Sequence, residues 1–115
     1  MGIWEAIKGF FHDAWNAFKR ILVAIIDFFT HIAGYFRDLL TRGEIQQGRD
    51  TPFIIENKKL KKMIHEAPEI NAGIFQATYN EETEEVENVR AVEGQLDDKT
   101  KNALSKSKNG IVTLS

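Results

Sequence analysis

The sequence predicts an α+β protein in which a long N-terminal amphipathic α-helix precedes a small domain of strands and short helices. Between Ile3 and Leu40 there is no proline, and apolar residues recur with a helical period, unlike the alternation of a strand. From Thr51 onward the apolar runs are short and turn-forming residues are frequent, as in a compact α/β domain. The predicted division is an amphipathic association helix, a linker and a small α/β head domain, at residues 1–42, 43–51 and 52–115.

The predicted N-terminal helix carries a wide apolar stripe. In a heptad that starts at Trp4, every a and d position is apolar, and most e and g positions are apolar as well. A two-stranded coiled coil needs charged e and g positions, so this stripe suits a helix contacted from several sides or one lying in a lipid interface. The predicted contact residues are Trp4, Ile7, Phe11, Trp15, Phe18, Ile21, Ile25, Phe28, Phe29, Ile32, Phe36 and Leu39.

The head domain begins with an apolar run at 52–56 that suits a strand, although Thr51 followed by Pro52 could equally begin a helix. A hairpin with a bulge near Asn88 is predicted over residues 73–92. The other predicted elements are a helix at 58–67, a helix at 99–108 capped by Asp97 or Asp98, and a strand at 111–114.

This order of elements is that of a split-βαβ (ferredoxin-like) module. Without the first strand it becomes an αββαβ domain with an antiparallel sheet. One further alternative concerns the N-terminal segment, because Gly34 could divide the long helix into a hairpin that buries part of the stripe within one chain.

Composition limits the classes of function. The chain has 115 residues, a formal net charge of −2 and no cysteine. A near-neutral chain lacks the excess of basic residues that nucleic-acid-binding proteins carry, so no nucleic-acid partner is expected. The absence of cysteine is compatible with a reducing compartment, so we expect a cytoplasmic protein. The apolar run at 21–36 is shorter than a membrane span and contains Asp27 and His31, so no transmembrane helix is predicted.

No pattern of reactive groups predicts catalysis. The sequence lacks cysteine nucleophiles and the motifs of nucleotide-binding, hydrolase and metalloprotease sites. The acidic residues around the turn at 80–85 lack the order of a calcium-binding loop. We therefore expect a non-enzymatic protein with no cofactor and no metal.

The sequence favours a structural or interaction protein that self-assembles through its aromatic-rich N-terminal helix and displays the head domain outside. The alternative is a peripheral membrane protein whose helix lies in the lipid interface. Aromatic enrichment favours that alternative, whereas Asp13, Asp27 and Asp38 on a near-neutral helix count against it. A dedicated protein partner that binds the stripe is a third hypothesis.

Overall fold

The computed structural model describes residues 2–13, 18–65, 70–107 and 110–114. In these ranges the chain is an α+β protein with a mixed five-stranded sheet, four α-helices and one π-helix. The strands are β1 (Lys19–Ile26), β2 (Asp50–Glu56), β3 (Gly73–Asn80), β4 (Glu85–Leu96) and β5 (Ile111–Thr113). The helices are α1 (Ile3–Asp13), the π-helix (Phe28–Ala33), α2 (Gly34–Thr41), α3 (Asn57–Met63) and α4 (Asp98–Ser105).

The prediction of one long helix over residues 3–40 is wrong, because residues 19–26 form β1. Residues 21–26 are apolar at every position, so they match a helical period and a strand equally well. Their isoleucines and valine are β-branched, which favours a strand. Helical structure returns only at the π-helix, which continues directly into α2 at Gly34.

The strands lie in the order β1-β4-β3-β2-β5. β2, β3 and β4 form an antiparallel meander, β5 pairs antiparallel with β2, and β1 pairs parallel with β4. The strands do not adopt the split-βαβ (ferredoxin-like) order, because that order would place β4 between β2 and β3, whereas here β3 lies between β2 and β4. The seven residues of α3 span only about 10 Å at ~1.5 Å per residue, too short to return the chain along a strand.

Most local predictions for the head domain are confirmed. Residues 52–56 lie in a strand rather than a helix, and the predicted hairpin forms between β3 and β4. Its bulge is at Asn88, which has a positive φ of 55° opposite a register shift between Gln76 and Thr78. α3 is shorter than predicted and ends at Met63.

Helices cover both faces of the sheet, and each face has its own apolar core. On the face that we call the α1 face, residues of α1 and α3 pack on alternate strand residues: Ile7, Phe11, Leu60, Phe53, Ile55, Phe75, Ala77, Tyr79, Ala91 and Ile111. On the opposite face, the α2 face, the π-helix, α2 and the following loop pack on the intervening strand residues: Ile32, Phe36, Leu39, Ile45, Ile26, Ile54, Ile74 and Val92.

A half-buried arginine joins the π-helix to the α2 face of the sheet. Arg90 of β4 donates from Nη2 to the backbone oxygen of His31 at 2.6 Å and from Nε to Oε1 of Gln76 at 2.6 Å. Its guanidinium lies 3.9 Å from the centre of the Tyr35 ring. Gln76 in turn donates to the backbone oxygen of Ile32 at 3.2 Å, so two π-helix carbonyls have partners in the sheet.

One carboxylate accepts hydrogen bonds from the first turns of two helices. Asp97 follows β4 directly, and its Oδ1 accepts from the backbone N–H of Thr100 at 2.9 Å, which makes it the N-cap of α4. Its Oδ2 accepts from the backbone N–H of Phe28, also at 2.9 Å, at the start of the π-helix. Of the two caps that the sequence offered, Asp97 and Asp98, it is therefore Asp97 that caps α4, and the same residue also fixes where the π-helix begins relative to β4.

The β1–β4 pairing requires a residue without a side chain at position 94. A Cβ atom placed on Gly94 would lie 2.3 Å from the backbone oxygen of Val23 in β1. At this point the register of β1 shifts between Leu22 and Ile25, so that two β1 residues lie opposite Gly94.

Substituting Gly94→Ala should therefore weaken the docking of β1. The added methyl group forces the two backbones apart, so we expect the free energy of unfolding to fall by about 1–3 kcal/mol, measured by urea denaturation. Gly9→Ala is the matched control, because a Cβ at Gly9 in α1 meets no atom within 4 Å and should stabilise the helix by up to about 1 kcal/mol. Equal unfolding midpoints for Gly94→Ala and the wild type would contradict this account.

Candidate interaction surface

β1 is an edge strand with an unpaired outer side. Its inner side pairs with β4, and no other strand in the described part of the chain pairs with its outer side. An edge strand presents backbone N–H and C=O groups that can bind another strand. β1 has eight residues, whereas β5 at the opposite edge has three, so β1 is the longer open edge of the sheet.

The exposed side chains in the centre of β1 are apolar, whereas those of Lys19 and Arg20 at its start are charged. Leu22 is 77% exposed and Ile25 is 57% exposed, and Phe29 in the π-helix, four residues after Ile25, is 62% exposed. Native edge strands usually carry charges or prolines that prevent pairing with other chains. Between Ile21 and Ile26 no residue is charged and none is proline. We refer to the outer side of β1 with Leu22 and Ile25 as the β1 edge.

The register shift places Leu22 and Ile25 on the same face of the sheet. They lie opposite Glu93 and Gln95 of β4, which are two residues apart and therefore point to one face. This is the α1 face, because Ala91, two residues before Glu93, belongs to the core under α1. Val23 and Ile26 instead pack into the core on the α2 face, which anchors the strand.

An ion pair attaches the start of β1 to β4. Nη2 of Arg20 donates to Oε1 of Glu93 at 2.9 Å, and the backbone N–H of Asn71 donates to the same oxygen at 3.1 Å. The Glu93 side chain is almost fully buried, while that of Arg20 is half exposed. The hydrogen bond from Arg20 holds the pKa of the Glu93 carboxyl below its usual range, against the opposing effect of burial.

Charge is distributed unevenly along β1. Lys19 and Arg20 form a basic beginning, and Asp27 follows its last residue. Oδ1 of Asp27 accepts from the backbone N–H of Thr30 at 2.8 Å. The residue remains exposed. The strand therefore runs from a basic end to an acidic end across an uncharged centre.

The residues predicted to form one contact stripe lie in several different places. Those buried in the core on the α1 face are Ile7 and Phe11, with Trp4 and Phe18 packed against them. Those on the α2 face are Ile32, Phe36 and Leu39, with Phe28 packed against them. Ile21 is half-buried in β1, whereas Ile25 and Phe29 are exposed. Trp15 lies outside the described residues.

Sequence reasoning did not select Leu22, the most exposed of the large apolar residues in the described part of the chain. In the helical heptad it fell on a flank of the stripe rather than on its centre. The signal that could have found it is the run from Ile21 to Ile26, in which aliphatic β-branched residues replace the aromatic residues on either side.

A concave surface, separate from the β1 edge, lies on the α2 face. It is a half-open cleft of about 850 Å³ between α2, the loop after it and the β2–β5 end of the sheet, lined mainly by apolar groups. Asp50 contributes a buried carboxylate to its wall, but Oδ2 of Asp50 is already bound by Arg49 at 2.7 Å and by the backbone N–H of Gln46 at 2.8 Å. These bonds give the carboxylate a role in holding the loop.

Among the residues described, no group of three or more metal-ligating side chains is found, and no helix is long and apolar enough to cross a membrane. A scan of protein-family models finds no match, and searches of curated proteins and of solved structures find no similar chain.

The Arg20–Glu93 pair predicts a specific pH dependence of stability. Because the pKa of Glu93 is lower in the folded chain than in the unfolded chain, the ionised carboxyl stabilises the fold above about pH 4. That contribution is lost as the pH falls through the folded-state pKa. The difference in unfolding free energy between the wild type and Glu93→Gln should be largest near neutral pH and should shrink in acid. A difference that stays constant from neutral to acidic pH in urea titrations would refute the assignment.

Proposed function

We propose that this protein is a non-enzymatic interaction protein that self-associates, and that the β1 edge carries the contact. The observation that supports this proposal is an eight-residue open edge strand whose centre carries no charge and exposes the apolar side chains of Leu22 and Ile25. The N-terminal segment remains the association element expected from the sequence, but as an edge strand instead of a helix stripe.

Backbone and side chains of β1 favour the same kind of contact. The unpaired N–H and C=O groups favour addition of a strand, and burial of Leu22 and Ile25 adds hydrophobic stabilisation. Burying one such side chain is worth about 1.5–3 kcal/mol. β1 is itself bound to the sheet through β4 and through the Arg20–Glu93 pair, so binding does not need to order the strand first.

The membrane alternative has less support from the geometry. Of the predicted stripe, Ile7, Phe11, Ile32, Phe36 and Leu39 are buried within the chain and cannot enter a lipid interface. The large apolar side chains that remain exposed on β1 and the π-helix are few: Leu22, Ile25 and Phe29. A strand edge also offers hydrogen-bonding groups, which a protein partner can satisfy and lipid cannot.

The test is a substitution that blocks the edge without touching the core. Leu22→Lys places a charge on the β1 edge, as natural edge strands do, and should weaken self-association about tenfold or more. Because Leu22 is 77% exposed, the unfolding midpoint should stay close to that of the wild type. The measurement is sedimentation velocity over a wide range of protein concentration.

Met63→Lys is the matched control. Met63 lies in α3 and is 48% exposed, so the same apolar-to-charged change is made away from β1 and should leave association unchanged. A wild type that stays monomeric at every concentration would refute self-association, as would binding to lipid vesicles by a chain that never self-associates. Equal effects of both substitutions would exclude the β1 edge as the contact.

A further inference from the structure

We infer that two copies of this chain pair through β1 in antiparallel orientation, around a two-fold axis, and form one continuous ten-stranded sheet. This inference rests on the proposed self-association and specifies its partner strand, its register and its closed symmetry. Three observations carry it: the length of the two sheet edges, the faces of the exposed side chains and the charges at the ends of β1.

The lengths of the edges favour a closed dimer over an open chain of molecules. Pairing β1 of one copy with β5 of the next would join an eight-residue strand to a three-residue strand and leave most of β1 unpaired. Pairing β1 with β1 joins two strands of equal length. An isologous contact of this kind uses the same surface twice and closes after two copies.

The exposed side chains select one register. In an antiparallel pair, residues directly opposite each other point to the same face. Leu22 and Ile25 share the α1 face because of the register shift in β1. In one register Leu22 lies opposite Ile25 of the second copy, and the two-fold axis passes between Val23 and Ala24. This register buries both of the large exposed apolar residues of β1, in each of the two copies.

The same register brings opposite charges together. With Leu22 opposite Ile25 of the second copy, Arg20 lies opposite Asp27 of that copy, and symmetry repeats the pair at the other end. Arg20 uses two of its donors on Glu93 and has further N–H groups for a second carboxylate. A parallel arrangement would instead place Arg20 beside Arg20 and Asp27 beside Asp27, which is unfavourable.

Disulfide trapping tests the register, because the chain contains no cysteine of its own. The experiment mixes Leu22→Cys protein with Ile25→Cys protein under mild oxidation and follows the products on a non-reducing gel and by mass spectrometry. Directly opposite Cα atoms lie about 4.5–5.5 Å apart, within the range of a disulfide. We expect a covalent dimer that contains one chain of each variant.

Each variant alone is the control. Two copies of Leu22 lie diagonally across the two-fold axis, with Cα atoms roughly 8 Å apart, beyond the reach of an unstrained disulfide. Covalent dimers in a single-variant sample at the rate of the mixture would overturn the register. So would a mixture that gives no covalent dimer although the wild type associates and Leu22→Lys does not. A monomeric wild type would refute the proposed function itself, so the two failures are distinguishable.

A second measurement addresses the charge pair. In Asp27→Asn the amide oxygen can still accept from the Thr30 N–H, but the negative charge opposite Arg20 is lost. We expect the dimer dissociation constant to rise about twofold to tenfold at low salt, because two exposed ion pairs are lost, and the rise should shrink at high salt. Asp38→Asn, an exposed change on α2, is the control. Equal dissociation constants for Asp27→Asn and the wild type at low salt would overturn the pairing of Arg20 with Asp27.

Discussion

β4 pairs with a strand on each side, and its parallel pairing with β1 depends on a backbone approach that only glycine permits at position 94. In this pairing residues 19–26 form a strand, although the apolar run within them also matches a helical period. Once β1 is in place, α1 before it and the π-helix after it lie on opposite faces of the sheet. The two apolar cores thus both depend on the same pair of strands.

Hydrogen bonds from polar side chains position the helices on the sheet, while the apolar cores supply most of the packing between them. Arg90 and Gln76 bind two carbonyl oxygens of the π-helix, and Asp97 caps that helix and α4 with the two oxygens of one carboxylate. Polar groups at such partly or fully buried positions are costly when they lack hydrogen-bond partners, and they select one arrangement of the neighbouring elements when they have them. In this chain they determine where the helices of the α2 face begin and how they are placed on the strands.

Proteins that stay monomeric usually carry charged residues or proline in their edge strands, and β1 carries neither at its centre. Its charges lie at the two ends instead, because its first two residues are basic and the residue after its last is acidic. That arrangement leaves the centre free to pair and makes an antiparallel second copy electrostatically complementary. In the proposed self-association, the short strand at the opposite edge of the sheet favours a closed pair over an open chain of molecules.

The sequence by itself determined the α+β class and the β3–β4 hairpin with its bulge near Asn88. It limited the cap of α4 to Asp97 or Asp98, and it left the run at 52–56 open between a strand and a helix start. Each of these depends on turn, cap or alternation signals carried by neighbouring residues. It did not determine the conformation of residues 21–26, because an uninterrupted apolar run has no period. Only the tertiary structure decided that Leu22 and Ile25 are exposed while Ile32 and Phe36 are buried. Burial depends on which strand lies at the edge of the sheet and on which helices pack on its faces.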